Sequence, residues 1–105
     1  MDAAAAPAGC TSTNVCFWDG YNYSDGPGKL SGWNSNWSVF KTSRCSDGDW
    51  ENCASSVYNN GTSCSAVLWT GRSYSGSRLT LGRGSGQTRL SSTMNNAISS
   101  NSWSC

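Results

Sequence analysis

Four short apolar or alternating runs punctuate the chain: Val15-Cys16-Phe17-Trp18, Trp37-Ser38-Val39-Phe40, Ala66-Val67-Leu68-Trp69 and Arg78-Leu79-Thr80-Leu81. Each is bounded by Gly, Asn, Asp or Ser, and none has the length or the period of an amphipathic helix. Turn signals lie between them at Asp19-Gly20, Asp25-Gly26-Pro27-Gly28, Asp47-Gly48-Asp49, Asn59-Asn60-Gly61 and Gly82-Arg83-Gly84-Ser85-Gly86. Short strands separated by such turns predict an all-β sandwich or barrel. Composition supports this. Leu, Ile, Val and Phe number only 12 of the 105 residues, while Ser, Gly, Asn and Thr number 51, residues that disfavour helix interiors. A chain so poor in aliphatics is disordered when its net charge is high. Here the charge is +1, and six Trp and six Cys supply what aliphatics do not.

The cysteines are Cys10, Cys16, Cys45, Cys53, Cys64 and Cys105. An even number in a short, loop-rich chain with a thin core predicts a disulfide framework and a secreted, extracellular protein. The absence of any C-x-x-C pair argues against a zinc knuckle. Many pairings are open to six cysteines. Sequence alone does not choose among them; the guessed set is Cys10–Cys16, Cys45–Cys53 and Cys64–Cys105, two local bridges and one that would tie the second half to the terminus. The Ala-rich start has no basic or apolar leader segment, so residues 1–9 are expected to be a disordered mature N-terminus or a remnant. Residues 10–105 are then one domain.

That domain contains an internal repeat. Trp18-Asp19-Gly20-Tyr21-Asn22-Tyr23, continuing through Gly26 to Lys29-Leu30, is matched 51 positions on by Trp69-Thr70-Gly71-Arg72-Ser73-Tyr74, continuing through Gly76 to Arg78-Leu79. Farther along, Glu51-Asn52-Cys53-Ala54-Ser55-Ser56 is echoed by Asn95-Asn96-Ala97-Ile98-Ser99-Ser100. Two features recurring in the same order mark a duplicated unit, the first copy carrying an insertion around residues 33–49. An aromatic, four residues, an aromatic, one residue and Gly suit a hairpin folded back on its own sheet. The second aromatic covers the bend, and Gly supplies a backbone conformation other residues resist.

These residues resemble the βγ-crystallin superfamily, whose Greek-key motif carries both patterns. Trp69, Tyr74 and Gly76 fit the hairpin signature; Trp18 and Tyr23 fit it too, but Gly26 falls one residue late. The second signature, Asn/Asp-Asn/Asp-x-x-Ser/Thr-Ser, is complete at 95–100 and lacks only its first residue at 51–56, where Glu51 stands. The resemblance implies a disulfide-stabilised sandwich of two Greek keys, about 14–61 and 64–105. The N-terminal Cys pair and the Ser/Asn/Gly-rich chain narrow the likeness to secreted bacterial metalloproteinase-inhibitor-like proteins.

The same resemblance implies calcium, with Glu51, Asn52 and Ser55 from one copy and Asn95, Asn96 and Ser99 from the other as side-chain ligands. Carbonyls near Gly20 and Gly71 would complete the shells. Oxygen donors of this kind suit a hard cation. The competing reading is that Ser55 and Ser99 only hydrogen-bond the hairpins and that the Asn pairs are turn residues.

The residues also exclude several classes of function. With no His, imidazole-activated nucleophiles are out. The carboxylates Asp19, Asp25, Asp47, Asp49 and Glu51 read as turn and ligand residues rather than a glycosidase pair, and Gly82–Gly86 lacks the Lys-Ser/Thr of a phosphate loop. The chain is therefore expected to be no enzyme. A charge of +1 gives no case for nucleic acid or an anionic membrane, and the expected state is a monomer. The narrower resemblance implies an inhibitor of an extracellular protease, which would present a loop from 32–37 or 58–63. The alternatives are a calcium-binding stability module, an antimicrobial protein, or a carbohydrate-binding module using Trp33, Trp37 and Trp50 as a platform.

Overall fold

The computed structural model describes residues 6–105. The expected disordered segment 1–9 therefore lies partly outside the described residues. From Ala6 onward the chain is seated: Ala6 packs against the cluster of Cys10, Cys16, Trp18 and Tyr58, and the Cys10 N–H donates to the Pro7 carbonyl at 3.0 Å.

Seven strands form: β1 (Asn14–Trp18), β2 (Gly28–Leu30), β3 (Ser56–Asn60), β4 (Ser65–Gly71), β5 (Ser75–Leu81), β6 (Gly86–Gln87) and β7 (Ser100–Ser104). They make two antiparallel sheets, ordered β2-β1-β3-β6 and β5-β4-β7. The third strand of the second half, β6, crosses over to pair with β3 of the first. In return Asn34 of the first half bridges Asn101 in β7. Each sheet thus takes its last rung from the other half, the arrangement of two Greek keys locked into one sandwich. Among the described residues no helix is long and apolar enough to cross a membrane.

Between the sheets lies a core of Val15, Phe17, Trp37, Trp50, Val57, Leu68, Leu81 and Ile98. Aromatic volume replaces missing aliphatics: Phe17 lies 4.3 Å from the Trp37 ring centroid and 4.9 Å from that of Trp50. Strand β1 is buried on both faces, because Cys16 and Trp18 point outward into a second cluster with Cys10, Tyr23 and Tyr58. The disulfides join Cys10–Cys16, Cys45–Cys53 and Cys64–Cys105. In chain entropy the third, spanning 41 residues, contributes about 4 kcal/mol and each local bridge about 2.5 kcal/mol.

Three expectations need correcting. Trp37–Phe40 is not a strand: Trp37–Val39 is a single 3-10 turn. Its N-cap, Asn36, accepts from the Ser38 N–H at 2.9 Å and from the Ser38 hydroxyl at 2.7 Å, a local alternative to sheet pairing. Tyr58–Asn60, half of one proposed inhibitory loop, is instead the end of buried strand β3. Finally, Trp37 and Trp50 are core, so the three tryptophans form no exposed platform.

Strands β3 and β7 are the surprising ones, being rich in Ser and Asn yet buried. Fully buried Asn59 donates to the carbonyls of Cys64 and Leu81, each at 3.0 Å, and accepts from the Gly61 N–H. Fully buried Asn101 donates to the Gly32 carbonyl and accepts from the Trp37 indole N–H at 2.8 Å. Satisfied in this way, polar strands can line a core.

Candidate functional site

The folded hairpins set the geometry. In the β4–β5 hairpin Gly76 takes a left-handed φ of +83°. The matching place in the β1–β2 hairpin belongs to Asp25, with φ +62°, and not to Gly26. Gly26 is needed for another reason: a Cβ there would stand 2.7 Å from the Trp18 ring and 3.0 Å from the Phe17 carbonyl. The one-residue offset in the sequence pattern is thus a real difference at the hairpin tip.

Each hairpin is held down by one buried hydroxyl. Ser56 donates to the Gly20 carbonyl at 2.7 Å and accepts from the Tyr23 N–H at 3.1 Å. Ser100 does the same for Gly71 and Tyr74, at 2.6 and 3.1 Å. The Gly20 and Gly71 carbonyls, expected to complete metal shells, are therefore already accepting hydrogen bonds.

The Asn–Ser segments meet crosswise. Asn52 N–H donates to Ile98 and Asn96 N–H to Ala54, each at 3.0 Å. Ser99 Oγ donates to Asn52 Oδ1 at 3.1 Å, and Ser55 Oγ to Asn96 Oδ1 at 3.2 Å. One corner therefore gathers Glu51, Asn52 and Ser99, and the other Asn95, Asn96 and Ser55. Glu51 and Asn52 of the first corner and Asn96 of the second line a shared cleft of about 210 Å³, together with Asp19 and Asp47. Burial, followed by repulsion from Asp25, pushes the Asp19 carboxyl above its usual range.

The corners differ in chemistry. Arg72 grips Glu51 with a fork, Nε to Oε2 and Nη2 to Oε1, both at 2.6 Å. This contact holds the Glu51 carboxyl below the usual range and raises Arg72. At the other corner Asn95 Nδ2 lies 3.5 Å from the Tyr21 hydroxyl, and the Arg89 guanidinium stacks over the Tyr21 ring at 4.9 Å. Asn95 Oδ1 is buried with no hydrogen-bond partner among the described residues. Every Asp and Glu of the chain lies at or before residue 51, so the second copy brings only neutral donors.

For calcium the fit is therefore unequal. An orphaned amide oxygen beside Asn96 and Ser55 suits a hard cation in donor type. The Glu51 corner does not, because a guanidinium already covers both carboxylate oxygens. Among the described residues no group of three or more His, Cys, Asp or Glu is placed to hold a metal.

A third feature lies in the first-half insertion. The Gly32 carbonyl accepts from Asn34 Nδ2 (3.0 Å), Asn101 Nδ2 (3.0 Å) and the Trp103 indole N–H (3.2 Å). Asn34 and Asn101 exchange backbone hydrogen bonds at 3.0 and 2.9 Å, and Ser35 accepts from the Ser73 N–H. On this clamped backbone Trp33 is 62% exposed, touching Tyr74 edge-on at 5.4 Å between centroids. Of the two loops suggested by sequence, this one carries an exposed aromatic, while Gly61–Ser63 is the part of the other that lies outside strand β3.

Residues 3–81 match the model of peptidase inhibitor family I36. The chain belongs to that family. The match spans the clamped loop, Glu51, Asn52 and Arg72 but stops short of Asn95, Asn96 and Ser99. No curated protein matches the sequence. Solved structures show the fold. One described under the evolution of the eye lens βγ-crystallin domain fold is similar at TM-score 0.76 and 21% identity, over 94% of this chain and 93% of that one. A βγ-crystallin from Ciona intestinalis aligns at TM-score 0.67 and 14% identity, over 86% and 98%. IPSE alpha-1, an IgE-binding crystallin, aligns at TM-score 0.66 and 17% identity, over 90% and 84%. The I36 chain is βγ-crystallin-like.

Proposed function

We propose that this I36 chain is a secreted, non-catalytic, monomeric inhibitor of an extracellular peptidase of the metallopeptidase class. Its contact element is the Gly32–Asn36 loop, with Trp33 as the anchor. The observation that carries this reading is the triply bonded Gly32 carbonyl beneath an exposed indole. A loop already ordered loses little conformational freedom on binding, and a Trp buried in a partner's pocket is a common source of most of the binding energy. An indole fits a peptidase with an apolar specificity pocket, and the metallopeptidase class is taken from the likeness of the chain to metalloproteinase-inhibitor-like proteins. The carboxylates support a non-catalytic role: Glu51 is held by Arg72, and Asp49 accepts from the Glu51 N–H and pairs with Lys41 at 3.8 Å.

The same reading includes one weak calcium ion at the Asn95–Asn96–Ser55 corner. Neutral donors and the nearby Arg89 support a weak affinity, in the range of about 10⁻⁴ to 10⁻³ M typical of extracellular modules.

The test is a titration of thermolysin-like, chymotrypsin-like and trypsin-like peptidases with the wild type and with Trp33→Ala. Inhibition of the thermolysin-like enzyme is expected. Trp33→Ala should weaken it about 100-fold, some 2.7 kcal/mol, with the melting temperature unchanged. No inhibition of any of the three at micromolar excess sinks the inhibitor reading. Full potency in Trp33→Ala removes this loop from it.

A further inference from the structure

The two corners are one design carrying different side chains. Tyr21 and Arg72 hold the same place in the two hairpins, 51 positions apart, and Glu51 holds the place of Asn95 in the repeated Asn–Ser segment. The fork from Arg72 to Glu51 is therefore the image of the contact between Tyr21 and Asn95. We propose that the Arg72 guanidinium is a built-in cation that closes the Glu51–Asn52–Ser99 corner to divalent ions, and that removing it creates a calcium site there. The number of ions bound by the wild type rests on the calcium reading above; the change caused by Arg72 does not.

Several observations carry this. Both Glu51 oxygens are engaged at 2.6 Å, and the Glu51 side chain is only 17% exposed, so an ion cannot reach the carboxylate without evicting the fork. A guanidinium keeps its charge at every working pH and matches a carboxylate in two parallel bonds, so the corner stays closed wherever Glu51 is ionised. Behind it the Asn52 amide oxygen and the Ser99 hydroxyl meet at 3.1 Å. Once Arg72 is gone, a carboxylate, an amide oxygen and a hydroxyl remain in one corner, the donor types calcium takes. Arg72 itself is more than half exposed on a hairpin tip, so its loss leaves the core intact.

The experiment is a calorimetric calcium titration of the wild type, Arg72→Ala, Arg72→Lys and the double variant Arg72→Ala with Glu51→Gln. Each is first shown to be folded by near-ultraviolet circular dichroism; Arg72→Gln replaces Arg72→Ala if that variant unfolds. Arg72→Ala is expected to bind one ion more than the wild type. Arg72→Lys should bind no more than the wild type, and the double variant should lose the gain or bind it at least tenfold more weakly. Equal stoichiometry in the wild type and Arg72→Ala overturns the inference, as does a gain that survives Glu51→Gln undiminished. Whether the wild type binds one ion or none is read separately and judges only the Asn95 corner.

Discussion

The Glu51–Asn52–Ser99 corner and the Asn95–Asn96–Ser55 corner share the hydrogen bonds made by their Asn and Ser residues, with Asn52 N–H donating to Ile98 as Asn96 N–H does to Ala54, and Ser55 N–H to Trp18 as Ser99 N–H does to Trp69, but almost none of their surface chemistry. Asn52 and Asn96, Ser55 and Ser99, Ser56 and Ser100 are interchangeable, because each satisfies a buried group that the fold itself creates. Glu51 and Asn95, Tyr21 and Arg72 make their side-chain contacts with one another and carry no such duty. One corner consequently became a closed ion pair, while the other kept an unsatisfied amide oxygen. Duplicated scaffolds repeat what folding demands; site chemistry diverges where folding is indifferent.

The hardest test of that equivalence is the pair Ser56→Ala and Ser100→Ala. Each change strands a hairpin carbonyl and a hairpin N–H, and each should destabilise by about 2–3 kcal/mol in urea unfolding. The two values should agree within about 1 kcal/mol. A cost below about 0.5 kcal/mol for either one breaks the symmetry argument.

Acid should sharpen the contrast between the corners. The Glu51 carboxyl is depressed by Arg72. Its folded pKa lies below its unfolded one, so its stabilisation is complete above about pH 4.5 and fades as pH falls through the lower folded value. Glu51→Gln should therefore flatten the acid side of the melting-temperature profile and leave the shape near neutrality unchanged. An unaltered acid limb would show that the fork contributes nothing.

The smallest effect is expected at the cleft between them. The Asp19 carboxyl is raised by burial and by Asp25, so its charged form opposes folding near neutrality, and the penalty is relieved as pH falls toward 3.8. Asp19→Asn should raise the melting temperature by about 1–2 °C at pH 7 and have no effect near pH 3, measured by scanning calorimetry. A loss of stability at pH 7 would mean that Asp19 has a favourable partner in the cleft.

Much of this molecule is legible along the chain. The aromatic–Gly spacing, the twin Asn–Ser segments and the thinness of the aliphatic core determine two folded hairpins, a duplicated β unit and the need for disulfides. These are local demands, written in residues close together. Strands β3 and β7 are not legible, because Ser and Asn read as loop until Asn59 and Asn101 find carbonyls and an indole far away in sequence. Trp37 reads as strand until Asn36 caps it and Asn101 receives its indole N–H. Nothing in Arg72 or Glu51 taken singly reveals that they meet, 21 residues apart at opposite copies of the repeat. Sequence alone determined what each half must build. Tertiary structure alone decided which side chains face one another across the halves, because that pairing depends on the exchange of strands between two sheets.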